Sequence, residues 1–448
     1  MDTSTAAETG PRPFEVTNRM VFAIAVPMTL AYLTTPLLGI VDTAVVGQFG
    51  DAALIGGLAI GAILFDIVFT TFNFLRMGTT GFVAQAVGRA DQAEQQAVFW
   101  RAVIIAAIAG AVLVPIAPLI GGLGLWFMAP GEDVAAAAST YVAIRFLAAP
   151  FTLINYAILG LLLGQARAIA GLVLQTLING INIALSILLG LHLGWDVAGV
   201  AWATVIGETS VAIGALVWLW RGFDRQAAPS LGRVMDKTLF LRLIAVNRDI
   251  MIRSFALLAA FAMFTRFGAQ FGAVTLAANA ILMNFFFIAG YYLDGFAVAA
   301  EQLVGRAVGA RYRPAFWRAV RLTAVWGFVL AGFTTLVVLV AGAVFIDIMT
   351  TAGDVRAEAR AYLVWAAVTA IAGVLAFQMD GVYVGASWSA DMRNMMLVSL
   401  AIYLASAFAL IPVFGNHALW FSLNLFLGLR GLTLAALLPR RARTIFGA

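Results

Sequence analysis

The carboxylate of Asp42 lies inside the first apolar stretch of the chain, VPMTLAYLTTPLLGIVDTAVVGQFG (Val26 to Gly50). Helical spacing puts Tyr32, Thr35 and Gly39 on the same face as Asp42. A charged side chain in hydrocarbon costs about 2.5–3.5 kcal/mol on insertion scales, so such residues are usually functional. Asp42 therefore predicts a titratable site inside a membrane, on a polar track along the first helix.

Pro36 interrupts this helix six residues before Asp42. Proline has no N–H to donate to the carbonyl of Tyr32, so we expect the helix to bend there. A titratable group beside a weak point in its own helix is what a proton-driven switch requires. The alternative is that Asp42 has only a structural role, with its carboxylate hydrogen-bonded to a neighbouring helix in a static bundle.

Further polar side chains form stripes in later apolar stretches. Four residues of the fifth predicted helix share one face, and two residues one turn apart follow in the sixth. With Asp42 they are predicted to line a wet pocket, whose hydration would set the pKa of the carboxylate. The alternative for any single residue is a hydrogen bond between helices. The predicted pocket comprises Tyr32, Thr35, Pro36, Asn155, Gln175, Asn179, Asn182, Ser186, Thr204 and Glu208.

The second predicted helix adds Asp66, Thr70 and Asn73 on one face. Arg76 and Arg145, also inside predicted helices, are either structural counter-ions or groups that contact a substrate.

The C-terminal half carries three acids within predicted helices: Asp294, Glu301 and Asp380. They are candidates for a second site. Pairing with loop arginines such as Arg306 or Arg393 is an equally good explanation, because both aspartates lie near the end of their helix.

Composition excludes a soluble domain. The 448 residues are 63% hydrophobic and only 11% charged, whereas soluble domains contain about 25% charged residues. The apolar runs fit membrane-spanning helices rather than barrel strands. The lack of cysteine excludes thiolate chemistry, and the single lysine, Lys237, is not in a phosphate-binding loop. We expect no enzyme activity and no cofactor, so any transport must be driven by an ion gradient.

Twelve helices are predicted, at residues 20–47, 52–78, 95–120, 134–158, 165–190, 197–220, 240–267, 272–300, 315–345, 355–381, 391–413 and 417–438. Arginine and lysine concentrate in both tails and in the even-numbered loops, whereas the opposite side has Arg266, Arg356 and Arg360. Both termini are therefore predicted to be cytoplasmic. The first helix is expected to remain uncleaved.

An internal repeat divides the chain. VGRADQAEQQAVFWRAV (Val87 to Val103) recurs as VGRAVGARYRPAFWRAV (Val304 to Val320), and Gly160 and Gly164 match Gly381 and Gly385. The sequence predicts a cytoplasmic tail (1–19), an N-lobe (20–220), a cytoplasmic linker (221–239), a C-lobe (240–438) and a second tail (439–448). Such duplicated lobes are common in secondary transporters.

The motifs PLLGIVDTAVVG, FLRMGTTGFVAQA, GVAWATVIGE, NRDIMIRS, YLDGFA, MRNMM and GNHALW run from end to end of the chain. In these motifs the sequence resembles the multidrug and toxic compound extrusion (MATE) family, and specifically its DinF branch. The resemblance implies two six-helix lobes around a cavity that opens alternately to each side. It also implies antiport of organic compounds, often cationic or amphipathic, against protons or sodium.

By position, Asp42 resembles the family's essential acid of the first helix, and Asn182 and Thr204 match polar positions of its N-lobe cation site. Many relatives have a second acid where this chain has Ser186. A sodium site prefers anionic oxygen ligands, so this departure favours proton coupling through Asp42. Sodium bound by Asp42, Asn182 and Thr204 remains the alternative. Asp380 is similar to a coupling acid of another branch.

The predicted function is export from a bacterial inner membrane, with protonation of Asp42 bending the first helix at Pro36. The alternatives are a sodium-coupled exporter of the same family or a lipid-linked precursor flippase. A flippase needs a cluster of cavity arginines, for which Arg76, Arg145 and Arg253 are the candidates. The expected partners are the lipid bilayer and small organic substrates, with no nucleic acid, and the protein is expected to be a monomer.

Overall fold

The computed structural model describes residues 12–447. Within this range the chain is helical and without strands, and twelve segments are long and apolar enough to cross a membrane. The predicted all-α membrane protein with twelve transmembrane helices is thereby confirmed. Residues 1–11, most of the predicted N-terminal tail, lie outside the described residues, as does Ala448.

The helices follow one another with short connections. In chain order they are α1 (Asn18–Gly47), α2 (Ala52–Thr71), α3 (Phe74–Gly88), α4 (Gln92–Met128), α5 (Glu132–Arg145), α6 (Ala149–Gly164), α7 (Ala168–Leu185), α8 (Asp196–Gly222), α9 (Leu231–Val234), α10 (Lys237–Ala269), α11 (Ala273–Gly309), α12 (Arg313–Met349), α13 (Gly353–Gly385), α14 (Ser389–Phe414) and α15 (Asn416–Phe446).

Four of the spans combine more than one helical piece. The second consists of α2 and α3, and the seventh consists of α9 and α10. The fourth joins α5 to α6 through a 3₁₀ turn (Phe146–Ala148), and the fifth continues α7 into a π-helical segment (Ser186–His192). Several helices run past their predicted ends, because a helix that leaves the hydrocarbon keeps its backbone bonds but loses its apolar pattern. The second predicted helix ends at residue 78, whereas α3 continues to Gly88.

Contacts divide the chain into two compact units. Unit 1 contains the described residues up to Ala25, the segment Ala84–Asp91 and the described residues from Phe255 onward. Unit 2 contains Val26–Val83 and Gln92–Ser254. These units differ from the predicted lobes at three segments: the start of α1, the end of α3 and the first half of α10.

The repeated glycines make the same kind of helix crossing in each unit. In unit 2, a Cβ atom on Gly160 would lie 2.7 Å from the carbonyl oxygen of Arg76. In unit 1, a Cβ atom on Gly381 would lie 2.1 Å from the carbonyl oxygen of Ala297. No residue larger than glycine fits where two backbones approach so closely, which explains why the repeat retains these positions.

Two repeat-related arginines hold the segments that precede α1 and α10. In unit 2, Arg101 lies 2.8 Å from the carboxylate of Glu94 and donates to the backbone oxygen of Val234 at 3.0 Å. In unit 1, Arg318 lies 3.1 Å from Glu15. The FWRAV repeat thus contacts the chain just before the first helix of each half, through buried Arg101 in unit 2 and through exposed Arg318 in unit 1.

Candidate functional site

The last turns of α1 carry Asp42 into the interior of unit 2. Val45 and Val46 are buried in one cluster with Val197 and Val200 of α8. One turn earlier, Asp42 is only 8% exposed. Apolar packing of the helix end therefore holds an ionisable group inside the bundle.

Ser186 contacts Asp42 and Asn182 with one hydroxyl group. Its Oγ lies 2.9 Å from Oδ1 of Asp42 and 3.0 Å from Oδ1 of Asn182. All three residues are buried. A hydroxyl has one proton, so Ser186 donates to only one of these acceptors at a time.

The polar chain continues from Asn182 to α8. The Nδ2 of Asn182 donates to Oγ1 of Thr204 at 2.6 Å, and the Thr204 hydroxyl donates to the backbone oxygen of Val200 at 3.1 Å. A chain of four side chains, Asp42, Ser186, Asn182 and Thr204, thus joins α1, the fifth span and α8. We call it the polar chain. Asp42, Asn182 and Thr204, the three residues of the alternative sodium site, all belong to it.

The fifth span changes its winding at Ser186, where α7 gives way to the π-helical segment. Such segments are rare and often occur at functional sites. The wider turn ends close to α8, since a Cβ atom on Gly199 would lie 2.6 Å from the backbone nitrogen of Gly190. Simple helical spacing does not reveal this change.

Asn179 contacts Thr34, a residue that sequence reasoning missed. The Nδ2 of Asn179 donates to Oγ1 of Thr34 at 2.6 Å, and Thr34 donates to the backbone oxygen of Ala31 at 2.7 Å. The neighbouring Thr35, which the periodicity selected, is exposed. The choice depends on the rotation of α1 about its axis, and one residue of sequence changes that rotation by about 100°.

The other predicted residues of α1 and α7 are less enclosed. Gly39 is exposed, and Tyr32, Pro36 and Gln175 are half-buried. The helix α1 runs without a break from Asn18 to Gly47, so Pro36 is accommodated inside it. Gln175 occupies the start of the stripe that leads to Asn179.

Glu208 belongs to a buried ion pair. Its carboxylate oxygens accept from both terminal nitrogens of Arg145, at 2.8 and 3.0 Å. The two side chains come from α8 and from the end of α5. Arg145 was open to two interpretations from sequence, and the structure assigns it to Glu208 as a counter-ion. A bidentate pair of this kind fixes both geometry and charge.

Three further residues surround this pair. Thr152 donates to the Glu208 carboxylate, and Asn155 donates to the Glu208 backbone oxygen at 3.0 Å. The guanidinium of Arg145 lies 3.7 Å from the ring centre of Phe65. Asn155 and Glu208 therefore lie together in a closed network, and sequence reasoning missed both Thr152 and the pairing.

The C-terminal acids have different surroundings. Asp380 lies 2.8 Å from Arg430 of α15, and both side chains are buried. Glu301 is buried on α11, whereas Asp294 on the same helix is exposed. Arg430 is an arginine inside an apolar stretch, a signal that could have identified it as a partner from sequence.

Comparison with known proteins agrees with this architecture. The MatE family profile matches residues 27–188 and 250–409. DNA damage-inducible protein F of Escherichia coli (strain K12) is 35% identical over 427 residues, covering 95% of this chain and 93% of the relative. A MATE crystal structure in the bent conformation superposes with a TM-score of 0.88 at 16% identity, covering 95% of this chain and 96% of that chain. A transporter of the MOP superfamily from Pyrococcus furiosus gives a TM-score of 0.87 at 15% identity, covering 95% and 96%.

The members of the matched family are multi-pass membrane transporters, not enzymes. The chain belongs to the MATE family, whose members are multidrug and toxic compound efflux transporters of small molecules. The family and the DinF-type relationship predicted from the motifs are confirmed.

Proposed function

We propose that this protein exports organic compounds, often cationic or amphipathic, in exchange for protons that bind Asp42. The observation that carries the proposal is the polar chain. It connects one buried carboxylate on α1 to Ser186, Asn182 and Thr204, so a change of charge on α1 reaches α8 through hydrogen bonds.

Protonation of Asp42 reverses the hydrogen bond between Asp42 and Ser186. When Asp42 is ionised, the hydroxyl of Ser186 donates to it. When Asp42 is protonated, its own O–H donates to Ser186, and the Ser186 proton turns to Oδ1 of Asn182. The two protonation states therefore favour different arrangements of the same side chains, which is the property that a coupled transporter needs.

We infer that the conformational change is a bend of α1 at Pro36. Of the two prolines inside α1, Pro27 and Pro36, Pro36 lies nearer to Asp42, and its missing backbone bond weakens the helix there. Structural relatives described as MATE in bent and straight conformations support the idea that the fold has two such states. Neutralising Asp42 removes the cost of a buried charge, and the free energy of proton binding then drives the bend.

Sodium coupling at the same residues is the second candidate. Asp42, Ser186, Asn182 and Thr204 bring side-chain oxygen atoms together in one polar chain, and oxygen is the ligand that hard cations prefer. Asp42 alone among these residues carries a charge. This single carboxylate favours the proton over sodium.

A lipid-linked precursor flippase is less well supported. Of the arginines that would hold a pyrophosphate, Arg145 is already engaged by Glu208. A guanidinium committed to an internal carboxylate is a poor anchor for a second anion.

We further propose that the protein lies in a bacterial inner membrane as a monomer with both termini in the cytoplasm. The arginine distribution supports this orientation. Because the sequence contains no cysteine, single cysteines introduced at Gly222 and Gly131 can be labelled in intact cells. Labelling of the Gly131 position alone by a membrane-impermeant reagent is expected, and the reverse pattern would contradict the orientation.

Proton release on substrate binding tests the coupling. Purified protein in a weakly buffered solution should release protons when an organic cation is added, and Asp42→Asn should abolish the release. Ser210→Ala, at an exposed position of α8 outside the polar chain, serves as the control. Release that persists unchanged in Asp42→Asn would contradict the proposal.

A further inference from the structure

Asp66 lies near the middle of the second span. It is 14 residues from the start of α2 at Ala52, which corresponds to about 21 Å along the helix. The hydrocarbon core of a bilayer is about 30 Å thick. At this depth a charged group is stable only where it faces water, protein or a ligand, not lipid.

The side chain of Asp66 is nevertheless exposed. The opposite face of α2 packs on α5, where a Cβ atom on Gly61 would lie 2.5 Å from the ring of Tyr141. The face of Asp66 includes Ile63 and Thr70, which are also exposed. Asp66 is thus an acid on an open face of the second span that also carries the exposed side chains of Ile63 and Thr70.

Asp66 also differs from Asp42 and Glu208, two buried acids of unit 2. Glu208 is paired with Arg145, and Asp42 accepts from Ser186. Within residues 12–447, no hydrogen bond or ion pair joins Asp66 to another side chain. Both terminal nitrogens of Arg145, the buried arginine at the end of α5, are already bonded to Glu208.

A stacked aromatic pair begins at the residue before Asp66. Phe65 stacks on Phe69 with ring centres 3.8 Å apart, and Ile63 is exposed on the same face as Asp66. An exposed carboxylate beside an aliphatic side chain suits a cation with apolar substituents. A small hydrated ion would need several more oxygen ligands.

We propose that Asp66 binds the positive charge of an organic monocation, at a position separate from the coupling carboxylate Asp42. This inference rests on the proposed export function and assigns its substrate class to one residue. Asp42 then binds the coupling proton, and Asp66 binds the positive charge of the substrate.

Calorimetric binding of tetraphenylphosphonium to the purified full-length protein tests this assignment. The charge of this probe does not depend on pH. Asp66→Asn should weaken binding by about tenfold or more, and Asp66→Glu should restore most of it. Asp133→Asn removes the same charge from an exposed position of unit 2 near a helix end and should leave binding within about twofold of wild type. Equal binding by wild type and Asp66→Asn, or no binding by wild type, would overturn the inference.

Chemical modification of the wild type gives a second readout that does not depend on how a variant folds. Dicyclohexylcarbodiimide modifies carboxyl groups in apolar surroundings, and peptide mass spectrometry identifies each site. Tetraphenylphosphonium should slow modification of Asp66 severalfold, whereas sodium should not. Modification of Asp66 at the same rate with and without the probe would contradict the assignment.

Efflux of a neutral amphipathic dye separates this inference from the proposed function. Asp66→Asn should still drive this efflux from a pH gradient, because Asp42 is intact. Loss of pH-driven efflux for neutral and cationic compounds alike would move Asp66 into the coupling machinery and overturn the inference. The proposed proton exchange at Asp42 is tested separately, by the Asp42→Asn variant.

Discussion

The hydroxyl of Ser186 lies 2.9 Å from the carboxylate of Asp42 and connects it to the fifth span. Both residues are buried, and they are 144 positions apart in the chain. This contact is the first link of the polar chain, through which we propose that the charge state of Asp42 acts on α7 and α8. Ion pairs and close helix crossings hold the surrounding helices in place.

A second carboxylate at position 186 should change the coupling ion. Ser186→Asp would add a charged oxygen ligand next to Asp42 and Asn182, and hard cations bind more strongly as anionic ligands are added. We expect a sodium gradient to drive efflux from vesicles about tenfold faster than in wild type. Ser186→Asn introduces a side chain of similar size to aspartate but without the charge, so its sodium-driven efflux should stay at the wild-type rate. The same sodium response in both variants would mean that charge is not the deciding factor.

Breaking the Arg145–Glu208 pair should destabilise unit 2. Glu208→Gln leaves a buried guanidinium without its carboxylate, a change that costs about 3–5 kcal/mol in buried pairs. Thermal unfolding followed by tryptophan fluorescence should show a clearly lower midpoint. The double variant Arg145→Met/Glu208→Met should recover much of the loss, because no charge is left unpaired. A double variant as unstable as Glu208→Gln alone would argue against the pair as the cause.

The glycine crossing between α11 and α13 should not tolerate a methyl group. In Gly381→Ala the new Cβ would lie 2.1 Å from the backbone oxygen of Ala297, so the helices must move apart. We expect a loss of stability of about 1–3 kcal/mol or more. Gly428→Ala in α15 is the matched control, because no atom lies within 4 Å of the position that its Cβ would take. That control should be neutral or slightly stabilising, and equal losses in the two variants would contradict the packing explanation.

The buried pair between Asp380 and Arg430 should behave as a structural unit. Arg430→Met leaves the Asp380 carboxylate without its guanidinium, and Arg430→Met/Asp380→Asn removes both charges. We expect the single variant to lose about 3–5 kcal/mol and the double variant to lose less. The measurement is again the thermal unfolding midpoint. A restored midpoint for the single variant on addition of sodium would instead indicate that a cation replaces the guanidinium at Asp380.

The sequence was sufficient for the architecture because the signals are local. Runs of apolar residues define the spans, and the repeat between Val87 and Val304 marks two halves without any reference to contacts. The helix ends were less predictable. The end of α3 lies beyond the predicted helix end, and the side chain of Gln85 there donates to the backbone oxygen of Gly385 at 2.8 Å.

The candidate site was predictable only in part. Helical periodicity identified Asn179, Asn182 and Ser186 as one stripe, because these residues lie on one helical span. It did not select Thr34 over Thr35, since that choice depends on how α1 is rotated against α7.

Pairings between helices were not predictable for a related reason. Arg145 and Glu208 are 63 residues apart, and Asp380 and Arg430 are 50 residues apart. No local sequence pattern predicts which of several buried charged side chains will form an ion pair, because the packing of the helices determines the pairing.

Coupling of export to protons through Asp42 is tested most directly by efflux from vesicles. Purified wild type and Asp42→Asn would be reconstituted with a fluorescent organic cation, and efflux would be driven first by a pH gradient and then by a sodium gradient. If Asp42 carries the coupling proton, efflux follows the pH gradient in wild type and disappears in Asp42→Asn. Efflux driven by sodium alone, or an Asp42→Asn variant that still exports under a pH gradient, would contradict this mechanism.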